Sequence, residues 1–165
     1  MMFRFAILAL SLTLAACGLR PMYAGGGDGA VATGLRMVSV QSIPGRSGWL
    51  VRKELAQRLG EPIGESRYRL EVELDDDITG FGIRGDRAVT RERRTLRARY
   101  RLVDLKSGGV VLDATAGSDA GIDVVSSQYA TVAAEQTALE RLSAQIADQI
   151  VGRIALYVSA SGSGK

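Results

Sequence analysis

The sequence predicts an α+β two-layer sandwich: a four-stranded mixed sheet with two helices packed on one face, in the order β-α-β-β-β-α. Two observations carry this reading. Three segments alternate apolar and polar residues strictly enough to be strands with one wet face, and two others repeat their apolar residues at the helical period. A third observation, a single cysteine at position 17, leaves the fold to depend on its core alone, because no disulfide can form within the chain.

The elements follow in order. Residues 35 to 43, LRMVSVQSI, set Leu35 and Met37 against Val38 and Val40 and predict a first strand that Pro44-Gly45 ends. Trp49, Leu50, Leu55, Ala56 and Leu59 then recur with helical spacing over residues 46 to 59, before Gly60 and Pro62 stop the pattern. In residues 67 to 77, Tyr68, Leu70, Val72 and Leu74 alternate with Arg67, Arg69, Glu71, Glu73 and Asp75. Residues 90 to 103 alternate again, with Leu96, Ala98, Tyr100 and Leu102 opposed to Arg91, Arg93, Thr95, Arg97, Arg99 and Arg101. Gly108-Gly109 predicts a hairpin turn into a fourth strand, 110 to 120. From 127 to 158 there is no proline, and Val132, Leu139, Leu142, Ile146, Ile150 and Ile154 line one stripe of a long helix.

Ahead of this domain the chain carries an export pattern. Arg4 precedes an apolar run of about ten residues, against the roughly 20 that span a bilayer, and Leu14-Ala15-Ala16-Cys17 resembles a bacterial lipobox. The reading is a signal peptide over residues 1–16, cleaved before a Cys17 that carries diacylglycerol and amide-linked acyl chains. Two or three chains anchor a protein durably, where one binds marginally. Gly18 stands where an inner-membrane retention signal would place aspartate, so the expected location is the periplasmic face of the outer membrane. Residues 17–34, including AGGGDGAVATG, read as a lipidated start and a glycine-rich tether reaching about 20 to 25 Å. The domain spans 35–158, and residues 159–165 read as a disordered tail.

Net charge is +3, falling to +2 once Arg4 leaves, so any electrostatic function depends on distribution. The chain has no histidine, which removes the commonest general base and metal ligand. Asp75-Asp76-Asp77 lacks the alternating ligand spacing of a calcium loop and reads as a solvated strand end, and AGGGDG lacks the Lys-Ser/Thr of a phosphate loop. No enzyme, cofactor or metal site is expected.

The mature start Cys17-Gly18-Leu19-Arg20-Pro21-Met22-Tyr23 resembles that of the alphaproteobacterial LptE family, lipoprotein partners of the outer-membrane lipopolysaccharide translocon. Tyr68-Arg69-Leu70-Glu71-Val72, the strand from Thr90-Arg91-Glu92 to Tyr100-Arg101-Leu102, and Gln128-Tyr129-Ala130-Thr131 leading to Ala134-Glu135 resemble the same family in the same order. Trp49 and Gly121-Ile122-Asp123 are less typical of it. The resemblance implies a two-layer α/β fold, residence within the lumen of an LptD-type outer-membrane β-barrel, help in assembling that barrel, and a hand in lipopolysaccharide delivery.

The arginines give this reading a site. A hairpin register placing Asp75 near Arg91 and Glu73 near Arg93 neutralises one end and leaves Arg67 and Arg69 beside Arg97, Arg99 and Arg101, a cluster that expects an anion or an acidic partner, the alternative being a solvated basic face with counterions. Arg67, Arg69, Arg91, Arg93, Arg97, Arg99 and Arg101 are therefore the candidates for gripping lipid A phosphates, with loop residues Arg84 and Arg87 next. The alternative is an independent periplasmic lipoprotein that binds anionic lipid or peptidoglycan by itself. Export argues against nucleic acid.

Overall fold

The computed structural model describes residues 29–83 and 89–162. The elements are α1 (Ala30–Leu35), β1 (Val38–Val40), α2 (Gly45–Leu59), β2 (Tyr68–Ile83), β3 (Val89–Asp104), β4 (Val110–Asp123) and α3 (Gln128–Gly162). The strands form one mixed sheet in the order β1-β2-β3-β4, with β1 parallel to β2 and the other pairs antiparallel. The predicted fold class holds, with one helix more than expected.

Alternation decides which face of the sheet is dry. Leu70, Val72, Leu96, Ala98, Tyr100 and Leu102 point to one side and are buried under α2 and α3, against Val51, Leu55, Leu142, Ile146, Ile150 and Ile154. Burying side chains of this size stabilises by about 1.5 to 3 kcal/mol each before entropy is counted. Across the helix layer, Arg58 Nε donates to Asp148 Oδ1 at 2.5 Å and clasps α2 to α3, which raises the pKa of its guanidinium. Tyr68 meets Tyr157 edge-on, their ring centroids 6.0 Å apart, and burial raises the Tyr68 pKa.

Four differences from the sequence reading have local causes. Residues 30–34, assigned to the tether on composition, form most of α1, which packs on the last turns of α3, with Gly34 set directly against Val158. The first strand is three residues long rather than nine, because Leu35 ends α1 and the chain turns through Arg36 and Met37. At the other end, α3 runs on to Gly162, into the segment read as a disordered tail. Val132, placed in the apolar stripe of that helix, is instead 56% exposed, and the neighbouring Thr131 is the residue buried in that turn.

The β3–β4 turn forms where Gly108-Gly109 predicts it. Gly108 takes a positive φ of 73°, and the Asp104 carboxylate accepts from the backbone N–H groups of Lys106 at 2.8 Å and Ser107 at 3.3 Å. These bonds hold the Asp104 carboxyl below its ordinary pKa.

Candidate functional site: the outer face of the sheet

The odd-numbered residues of β2, β3 and β4 point away from the helices, so the arginines do share one face. Their neighbours differ from the expected ones. Asp75 lies opposite Arg97, Glu73 opposite Arg99, and Glu71 opposite Arg101, a register six residues away from the one that leaves a bare basic cluster. The cause is the length of the hairpin. The segment read as a glycine-containing connection zips into β2 as far as Ile83, and β3 starts at Val89, so the turn is centred later in the sequence.

As a result the basic row is largely neutralised. Among the described residues this face of the three strands carries six arginines and seven carboxylates. Arg91 pairs with Asp123 at 3.0 Å, Arg99 with Asp113 at 3.1 Å, and Arg69 with Glu71 at 3.0 Å. Arg101 reaches Glu71 at 3.3 Å and Glu73 at 3.8 Å. Arg93 is 3.9 Å from Asp119 and stacks over the Phe81 ring at 5.4 Å. Arg67, just before β2, pairs with Asp104 at 3.5 Å and lies 5.0 Å from the Tyr68 ring. The Asp113 bond raises the Arg99 pKa, and Arg99 in turn lowers that of Asp113.

Arg97 is the exception. No carboxylate of the described residues lies within ion-pair distance of it, although Asp75 is directly opposite. Its side chain leans the other way, over Gly117 of β4, where the missing side chain leaves a surface groove of about 540 Å³ lined by Glu73, Asp75, Arg97, Arg99, Thr115 and Gly117. The edge of β4 beside this groove is sealed by α3, since Gln149 both accepts from the Gly117 N–H at 3.2 Å and donates to its carbonyl at 3.1 Å. The site is therefore a shallow groove with one uncommitted guanidinium, flanked by salt-bridged arginines that could exchange a carboxylate for a phosphate.

Sequence reasoning missed a further pair. Asp76, read as part of a solvated strand end, is mid-strand and faces the helices, where Arg94 donates to both its oxygens at 2.8 Å and to the Glu135 carbonyl at 3.1 Å. The signal was present: Arg94 breaks the alternation by standing on the even, core-facing register. Cys17, Arg84 and Arg87 lie outside the described residues. Among the described residues, no group of acidic or cysteine side chains could hold a metal ion, and no helix is long and apolar enough to cross a bilayer.

None of the curated proteins matches this chain. Solved structures do. A lipoprotein of Caulobacter crescentus is 26% identical, with a TM-score of 0.68 over 81% of this chain and 98% of its own. Lipoprotein B of Nitrosomonas europaea, at 12% identity, gives a TM-score of 0.57 over 74% of this chain and 83% of its own. Rare lipoprotein B of Shewanella oneidensis, at 10% identity, gives 0.53 over 76% and 96%. The last two share the fold, and residues 35–154, most of the chain, match the LptE family, described as lipopolysaccharide-assembly, so the chain belongs to that family.

Proposed function

We propose that this protein is an outer-membrane lipoprotein subunit of the lipopolysaccharide translocon, anchored through acylated Cys17, which plugs and helps assemble an LptD-type β-barrel and binds lipopolysaccharide in transit. Family membership supports the assembly role, and the lipobox supports the anchor. The observation that carries ligand binding is Arg97, a charged fork with no carboxylate partner among the described residues, poised over an open groove. Its neighbour Arg99, on the same groove, is pre-positioned by Asp113, so a phosphate entering the groove meets a donor already ordered.

Purification from native membranes in mild detergent tests the assembly role. A stoichiometric large barrel partner is the expected result, together with a drop in assembled barrel when this chain is depleted. A monodisperse monomer and unchanged barrel levels would favour the independent lipoprotein. The intact mass of the membrane form tests the anchor: the chain should begin at Cys17 and carry acyl mass, and an uncleaved start at Met1 would overturn it.

A further inference from the structure

The exposed stripe of α2 has a different charge character from the sheet face. Arg46, Trp49, Arg52, Lys53, Ala56 and Gln57 are all exposed and follow one another at helical spacing, with no carboxylate among them. The one acid in the helix, Glu54, is committed to Arg58 at 2.5 Å. Arg46 and Arg52 have no ion-pair partner among the described residues, and Lys53 Nζ sits 5.7 Å from the Trp49 ring centroid. Trp49 is 61% exposed although it is the only tryptophan in the chain. Beyond the N-terminal turn of α2, Arg46 lines a surface groove with Arg94, Glu135, Tyr129 and Val132, the last two 92% and 56% exposed. Amphipathic rings among uncompensated cations form the surface that settles into the headgroup layer of a bilayer, with rings at the boundary and cations among anionic groups.

The C-terminal end of α2 adjoins the end of α1: the Ile63 N–H donates to the Arg36 carbonyl at 3.4 Å, and Gly60 packs on the Arg36 side chain. Twelve residues, 18 to 29, separate Cys17 from α1, so the lipid-anchor reading keeps the domain within tether reach of the bilayer.

We propose that the outward stripe of α2, Arg46, Trp49, Arg52 and Lys53, docks on the anionic headgroups of the bilayer to which the chain is tethered. The proposal rests on the lipid-anchor reading. Inside a barrel the same stripe faces a protein wall, so the docked state belongs to the free lipoprotein.

Trp49, as the only tryptophan, reports on docking without a label. The acylated full chain is reconstituted into vesicles of phosphatidylcholine alone and into vesicles with phosphatidylglycerol added, and Trp49 emission and quenching by brominated lipid are read in each. The expected result is a blue shift and lipid quenching with phosphatidylglycerol only. The double variant R52Q/K53Q, whose fold is verified by its unchanged thermal melting, should lower the docked-to-free ratio about 25-fold, roughly fivefold per charge. Molar salt should release the wild type as screening shortens. Trp49 equally accessible on both kinds of vesicle would overturn the proposal. So would a shift that ignores both phosphatidylglycerol and the variant, which would mean apolar insertion, or protection that requires an acidic protein partner. Failure of the chain to float with neutral vesicles would instead overturn the anchor. The proposal would then stand only if phosphatidylglycerol vesicles still bound the wild type and released R52Q/K53Q.

Discussion

Arg97 lies across the bare backbone of Gly117, its Nη1 3.0 Å from where a Cβ on that glycine would stand. The two residues form one unit: the glycine provides the space and the arginine projects charge over it. Gly117→Val should fill the groove and push Arg97 aside, so lipopolysaccharide binding by the purified chain should fall much as it does in Arg97→Ser. Loss of one charge-assisted contact of about 1.5 to 3 kcal/mol predicts a tenfold or greater drop for Arg97→Ser, with stability changed by less than about 0.5 kcal/mol. Arg99→Ser should weaken binding less, because that guanidinium already serves Asp113. Undiminished binding by Arg97→Ser with an intact fold would remove the groove from the site.

The Arg94–Asp76 pair should matter for stability rather than binding. Both side chains are mostly covered, at 13% and 19% exposure, so Arg94→Ala strands a carboxylate and a helix carbonyl together. Chemical denaturation should show a loss of about 2 kcal/mol. Adding Asp76→Leu to Arg94→Met should recover much of it, since an apolar pair leaves no orphaned charge.

Gly48 should tolerate no side chain. A Cβ there would meet the Ile43 carbonyl oxygen at 2.6 Å, and that oxygen is backbone at the entry to α2, with little room to give. Gly48→Ala should cost about 1 to 3 kcal/mol in urea unfolding despite alanine's better helix propensity.

Acid should loosen the β3–β4 hairpin. Asp104 and Asp113 both have folded pKa values below their ordinary ones, through backbone N–H donors at Asp104 and through Arg99 at Asp113. A depressed carboxylate contributes stability that is complete above its unfolded pKa, near 4, and is lost as pH falls through the folded value. The melting temperature should therefore hold steady above that pH and decline below it, and Asp104→Asn should flatten the decline.

The sheet was legible because its residues announce their faces locally: Tyr68-Leu70-Val72 and Leu96-Ala98-Tyr100 need only a period of two to be placed. The site was legible only in part, because parity fixes which side of a strand an arginine takes but not which carboxylate stands across from it. That choice depends on register, and register depends on how far the hairpin zips past Gly80 and Gly82, where alternation of large side chains gives no guide. The same gap hid α1. Ala30-Val31-Ala32-Thr33-Gly34 has little apolar bulk of its own, and its helix is held by α3, more than a hundred residues away in sequence.

That contact sets an order of events. Gly34 and Val158 stand near opposite ends of the chain, so the turn that carries α1 has nothing to dock on until the last helix exists. The β2–β3–β4 meander closes between neighbours in sequence, whereas α1 requires the longest loop closure in the domain. For a chain made N-terminus first, α1 is the first element to appear and among the last to be seated. Until the chain is complete, α1 and the nascent sheet are two bodies on one string, and the final turns of α3 act as the latch that makes them one.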